Sequence, residues 1–197
     1  TVALNPAGGA NNGLENASTH TVNLSKLSAN QTVAYQGGSG SDRIILNDAN
    51  YNVLKTLVGG GNEGAAIAAG QNRYDTVTVV TNGENVVLDA EDLKNTSGFE
   101  GFVLTKNSAA ATYNITLTRA FMNANTLAAD DGNTGIIETN FQIGTSAAAN
   151  NSILSGGDTV TIDVRDLLNA TDNGRATGYT TRTFDVTSLE NSGVAVT

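Results

Sequence analysis

The chain has 197 residues and a formal net charge of −9, from 19 acidic against 10 basic side chains, which excludes the basic footprint of a nucleic-acid or anionic-membrane binder. Cysteine is absent, so disulfides, thiolate metal sites and a cysteine nucleophile are excluded, and bacterial export suits the chain better than a disulfide-stapled ectodomain. With 39% hydrophobic residues, 5% aromatic and no Trp, the expected core is thin and built from Val, Ile, Leu and Ala without large aromatic anchors. No apolar run approaches the roughly 18 residues of a membrane-spanning helix, so membrane insertion is not expected and cations are the natural partners.

Residues 1–20 read as an irregular stretch, with Ala7-Gly8-Gly9-Ala10-Asn11-Asn12-Gly13 lacking any period. The single proline, Pro6, lies there and leaves the remaining amides free for β-ladders. From residue 21 to 197 one β-rich domain is expected, a fragment of a longer chain. Thr21 to Leu24 alternates as a strand, Thr32 to Tyr35 is a second, and Ile44 to Leu46 a third. Tyr51 to Val58 places Val53, Leu54 and Leu57 on one face of a short helix, for which an irregular strand is the alternative. Strand signal returns at Thr76 to Val80, Val86 to Leu88 and Phe102 to Thr105, and Thr112 to Thr118 is the cleanest alternation. Arg119 to Ala129 can add a helical turn. Weak strands follow near Ile136-Ile137 and Phe141 to Ile143, then stronger ones at Thr159 to Ile162 and from Thr183.

Two patterns recur. In the first, a polar or glycine turn precedes an Asp and then a strand: Asp42-Arg43-Ile44, Asp75-Thr76-Val77, Asp158-Thr159-Val160. In the second, a strand runs through a short polar step to Leu: Leu24 to Leu27, Leu88 to Leu93, Ile162 to Leu167, Phe184 to Leu189. Short strands at irregular intervals with polar turns suit an all-β, parallel β-helix or β-roll-like solenoid with long polar turns and one short helix. A β-sandwich would also show many short strands and remains the alternative.

The most specific stretch is Gly37-Gly38-Ser39-Gly40-Ser41-Asp42-Arg43-Ile44-Ile45, which fits the calcium-binding nonapeptide G-G-x-G-x-D-x-U-x at every fixed position. Its glycines can take positive φ and expose carbonyl oxygens, while Asp42 adds a carboxylate. One such turn supplies about half of the oxygens calcium needs, so a neighbouring turn must complete the site. The expected metal residues are Gly37, Ser39, Gly40 and Asp42, together with Asp75 and Asp158 from the recurring Asp starts.

This nonapeptide resembles those of the repeats-in-toxin (RTX) family of secreted bacterial proteins, and within it the Gly-, Asn- and Thr-rich surface-layer proteins and large adhesins. Asp89-Ala90-Glu91-Asp92-Leu93, continued by Ser97-Gly98-Phe99-Glu100-Gly101-Phe102, resembles segments that recur in them. One strict nonapeptide rather than a tandem array departs from that pattern and favours isolated calcium sites over a continuous ladder. The resemblance implies an extracellular structural module at the bacterial cell surface, ordered by calcium and assembling with copies of itself. A module binding cell-surface polysaccharide, and a secreted carbohydrate-active enzyme on a β-helix, are the alternatives. No catalytic set stands out: the only histidine, His20, lies beside no Ser-centred motif, and the pairs Glu91-Asp92 and Asp130-Asp131 read as solvated turns. The Asn-x-Ser/Thr triplets at Asn16, Asn23, Asn30, Asn95, Asn114, Asn150 and Asn169 are what so Asn- and Thr-rich a chain carries by chance.

Overall fold

The computed structural model describes residues 2–4, 20–28, 31–37, 42–51, 54–59, 75–81, 85–107, 109–125, 129–130, 137–147, 152–168 and 179–197. In chain order they form β1 (Val2–Leu4), β2 (His20–Asn23), β3 (Val33–Gln36), β4 (Asp42–Asn47), α1 (Asp48–Tyr51), β5 (Leu54–Val58), β6 (Thr76–Val80) and β7 (Asn85–Leu88). There follow α2 (Ala90–Leu93), β8 (Thr96–Ser97), β9 (Gly101–Lys106), β10 (Thr112–Thr116), α3 (Arg119–Asn125), β11 (Ala129–Asp130) and β12 (Ile137–Thr145). The last elements are β13 (Ser152–Ile153), β14 (Thr159–Asp163), α4 (Arg165–Leu168), β15 (Tyr179–Asp185), α5 (Thr187–Asn191) and β16 (Ala195–Val196).

The protein is mostly β-strand with a few short helices, and its described strands lie in three parallel sheets. The first has the order β1-β3-β5-β8; the second runs β2-β4-β6-β9-β12, with β15 beside β12; the third runs β7-β10-β14-β16. Within each sheet the strands follow chain order. Among the described residues pairing is parallel, apart from β11 on β12 and β13 on β9, which are antiparallel. Register is kept from strand to strand: Ile44, Val77, Phe102 and Ile143 align across the second sheet, and Leu88 with Ile115 and Ile162 across the third.

The second sequence pattern is the corner at which strands end. Asn23 Oδ1 accepts the Ser25 amide at 3.0 Å, Asp89 Oδ1 the Glu91 amide at 2.8 Å, Asp163 Oδ1 the Arg165 amide at 3.0 Å and Asp185 Oδ1 the Thr187 amide at 3.0 Å. Such side-chain acceptors favour one turn of helix over continued strand. Four residues after each acceptor a leucine turns inward: Leu93 and Leu189 are buried, while Leu27 and Leu167 pack against the core. Asp89 and Asp92 also complete a reciprocal capping box at α2.

One cluster of buried residues draws on all three sheets, with Val33, Tyr35 and Leu57 from the first, Ile44, Val77 and Leu104 from the second, and Val86, Tyr113 and Val160 from the third. Four expectations are corrected here. The core does have aromatic anchors: Phe102, Phe121 and Phe141 meet with ring centroids 5.2 to 5.6 Å apart, and Tyr35, Phe99 and Tyr113 are fully buried. The chain has few aromatics, but these six point inward, and the Tyr113 hydroxyl reaches the carbonyls of Thr105 at 2.6 Å and Val79 at 3.1 Å. The helix expected over Tyr51 to Val58 is instead α1, ending at Tyr51, followed by strand β5. A ladder between β3 and β8 offers β5 hydrogen bonds on both sides, which outweighs a weak helical spacing. The two weak strands expected near residues 136 and 141 form one, β12, and the stretch read as irregular begins with β1; residues 5–19 lie outside the described residues.

Helix α3 closes the first sheet. Asn125 Nδ2 donates to the Thr96 carbonyl at 2.8 Å, its Oδ1 accepts the Phe99 amide at 3.2 Å, and the Ala124 carbonyl accepts the Gly98 amide at 2.8 Å. A buried side-chain amide thus stands where the next strand would pair with β8. Asn125→Ala leaves the Thr96 carbonyl and the Phe99 amide buried without these partners, and urea denaturation is expected to show a loss of about 2–4 kcal/mol.

Candidate functional site

Where the chain passes from the first sheet to the second, it does so by the same two residue types in three successive layers. Gly37 follows β3, Gly59 follows β5 and Gly98 follows β8; Asp42 opens β4, Asp75 precedes β6 and Glu100 precedes β9. The parallel register stacks these acids, since Arg43 aligns with Thr76 and Thr76 with Gly101. Each acid takes the backbone amide of the one before it: Asp42 N donates to Asp75 Oδ1 at 2.6 Å, and Asp75 N to Glu100 Oε2 at 2.6 Å. The result is a column of carboxylates at 0%, 0% and 3% exposure.

The glycines stack as tightly. A Cβ on Gly37 would lie 1.7 Å from the Gly59 carbonyl oxygen and 2.3 Å from Asp42 Oδ2. One layer on, a Cβ on Gly59 would lie 2.1 Å from the Gly98 oxygen and 2.9 Å from Asp75 Oδ2. Each glycine therefore faces one carbonyl oxygen and one carboxylate oxygen, and only a residue without a side chain fits there. Close approach, rather than the positive φ expected for Gly37, accounts for glycine at 37 and 59; the left-handed turn in this column is at Gly98, with φ 70°.

Burial dominates the electrostatics. It pushes the Asp75 carboxyl up to about 7, against the lowering effect of its bond from the Asp42 amide and with a further push from the Asp42 charge. Asp75 Oδ2 is buried and has no hydrogen-bond partner among the described residues. The Tyr35 phenol beside the column is held well above its ordinary range, first by burial and then by the neighbouring Asp42 carboxylate, although its hydroxyl makes no hydrogen bond of good geometry to a described residue.

The structure brings together Gly37, Asp42 and Asp75 of the expected metal residues. Ser39 and Gly40 lie outside the described residues. Asp158 stands apart, before β14 in the third sheet, in a repeat of the same arrangement. Its Oδ1 accepts the Ala111 amide at 2.7 Å, and its Oδ2 accepts Lys106 Nζ at 2.7 Å and the Ser155 amide at 2.6 Å. Burial works to raise its pKa, but the Lys106 ammonium and the two amides outweigh it and hold the carboxyl below the usual range.

Gly59, Gly98 and Glu100 complete the column without being marked as site residues by any sequence pattern. Glu100 lies within the segment that resembles surface proteins, but the glycine-to-acid segments differ so much in length that no fixed period picks it out. Among the described residues, no three His, Asp or Glu side chains are arranged around one point as a metal cluster. Any cation here would have to draw on backbone carbonyls as well.

Comparison with protein-family models, with curated proteins and with solved structures finds no match.

Proposed function

We propose that this chain is a β-solenoid module with a structural role in an extracellular bacterial surface protein, of the surface-layer or adhesin kind. The observation that carries the reading is the order of the strands: the chain lays one strand in a sheet, moves to the next sheet, and returns to add a parallel strand beside the earlier one. Parallel pairing of this kind favours coils over a sandwich, whose sheets are antiparallel. The amide-to-carboxylate bonds and the glycine stack join neighbouring coils, as a fold built by repetition requires. The net charge of −9 keeps copies apart until cations screen it, which suits assembly controlled from outside the cell.

The outward face of the third sheet carries rows of small polar groups. Thr159 Oγ1 meets Thr112 Oγ1 at 3.2 Å, Thr161 Oγ1 meets Thr197 Oγ1 at 3.1 Å, and Asn114 Nδ2 donates to Asn85 Oδ1 at 3.2 Å. Rich in hydroxyls and side-chain amides, with the Asp163–Arg165 pair and the exposed Val87 on the same side, this face favours cell-surface polysaccharide as a further partner.

A solenoid is held by nearest-neighbour contacts, so a chain ending at residue 168 loses β15, α5 and β16 but should keep the rest folded. The expected result is a two-state urea transition with a smaller slope and a β-type circular dichroism spectrum. A truncated chain that is wholly unfolded would reject the solenoid. For the surface role, antibodies raised against the chain are expected to label intact cells of the source organism; labelling only after lysis would reject it.

A further inference from the structure

Lys106 and Asp158 form a pair unlike those at the surface. Lys94 with Glu91 and Arg165 with Asp163 join neighbours in sequence, whereas Lys106 Nζ meets Asp158 Oδ2 at 2.7 Å across 52 residues, with side-chain exposures of 14% and 0%. The contact runs from the end of β9 in the second sheet to the residue before β14 in the third. Both ends are held: Lys106 is paired with Ser152 of β13, and the Asp158 amide donates to the Ser155 carbonyl at 3.0 Å. Three further groups surround the two. The Ala111 amide donates to Asp158 Oδ1 at 2.7 Å, the Ser155 amide to Oδ2 at 2.6 Å, and Ser155 Oγ accepts from Lys106 Nζ at 3.0 Å.

We propose that the folded chain joins Lys106 to Asp158 covalently, as an amide between Nζ and Cγ. Burial opposes charge on Asp158, but the Lys106 ammonium and the two amides outweigh it, so the resting pair is ionised. The first step therefore passes a proton from Nζ to Oδ2 along their hydrogen bond. The neutral amine then attacks Cγ. Reacting atoms in a productive pair stand roughly 3–3.5 Å apart, which is the range from a carboxyl carbon of a nitrogen held 2.7 Å from one of its oxygens. Negative charge developing on Oδ1 meets the Ala111 amide, which stands where an oxyanion donor is needed. The nitrogen gives its second proton to Ser155 Oγ, whose own proton goes to Oδ2, and Oδ2 departs as water. One C–N bond forms, one C–O bond breaks, the two charges cancel, and no co-reactant enters. In bulk water the condensation runs backward. Here the effective concentration of a well-oriented amine against its carboxyl, on the order of 10⁵–10⁸ M, reverses the balance, and burial keeps water from returning. A chain without cysteine thereby gains a cross-link between two sheets. The bond is independent of the surface role, so its absence would leave that reading untouched.

Intact-mass spectrometry of the full chain, purified folded and then denatured, reads the bond directly. The expected mass is one water below that of the sequence. Trypsin is expected to leave a branched peptide joining the Lys106 and Asp158 segments, with no cut after Lys106. Lys106→Arg keeps the charge pair but lacks the reactive amine, so it should show the full sequence mass and melt roughly 10 °C lower, the effect of opening a loop of this size. Wild-type protein at the full sequence mass would overturn the proposal. So would a loss of water that persists in Lys106→Arg, since the dehydration would then lie at another residue. Should Lys106→Arg fail to fold, the wild-type mass and the branched peptide decide by themselves, because neither needs a variant.

Discussion

Alanine at Gly59 is expected to abolish the native fold. Its Cβ would sit 2.1 Å from the Gly98 carbonyl oxygen and 2.9 Å from Asp75 Oδ2, and the equivalent change at Gly37 would bring a Cβ to 1.7 Å from the Gly59 oxygen. Overpacking in an ordinary core costs about 1–3 kcal/mol because side chains can move aside. Here the obstacle is backbone, fixed by the bonds from Gly37 N to the Val58 carbonyl at 2.8 Å and from Gly59 N to the Ser97 carbonyl at 2.9 Å. The layers would have to separate, breaking the ladder on both sides of β5. A cost above about 4 kcal/mol is expected, comparable with the whole stability of many domains. Gly157 provides the control: it has φ 96° but nothing within 4 Å of where a Cβ would stand, so Gly157→Ala should cost only the left-handed backbone penalty of about 1–2 kcal/mol. Circular dichroism and urea titration of the two variants read the contrast, and a folded Gly59→Ala protein of near wild-type stability would show that the layers are not packed as described.

The protein is expected to lose stability as pH rises from about 4 to about 7. The Asp75 carboxyl titrates near 7 in the fold and near 3.8 as an ordinary aspartate, so in this interval the folded state keeps a proton that the unfolded state has released. The unfolded state then binds fewer protons, and linkage makes stability fall with pH, by about 1.4 kcal/mol per unit while the difference is one proton. The total reaches at most about 4 kcal/mol and is complete above pH 7. Asp158 acts in the opposite direction, because its lowered pKa contributes stability that is lost on acidification below its ordinary range. The lowered Asp163 and Asp185 act with Asp158 and the raised Asp92 acts with Asp75, so stability is expected to fall on both sides of a mildly acid maximum. Thermal melts between pH 3 and pH 9 should show the decline in the wild type and a flat profile above pH 5 in Asp75→Asn; an identical decline in both would assign it to other groups.

What could be read from the chain was what depends on neighbours in sequence. Asp89, Asp163 and Asp185 cap the turns that follow them, and Leu93, Leu167 and Leu189 return to the core four residues later, whatever the rest of the fold does. The Asp starts at 42, 75 and 158 were legible for the same reason, as polar residues at the entry to alternating runs. Tertiary structure decided which of these local pieces meet. That Asp42 stacks on Asp75 and Asp75 on Glu100, that Gly37, Gly59 and Gly98 share one column, and that β5 is a strand between β3 and β8 all follow from hydrogen bonds between layers, across segments of unequal length. The same pairing gives Lys106 to Asp158 and, among the described residues, gives Asp75 Oδ2 no such partner. Sequence by itself determined where strands start, turn and cap, because those preferences act within a few residues; the register between layers, a long-range property, decided where buried charge is balanced and where it is not.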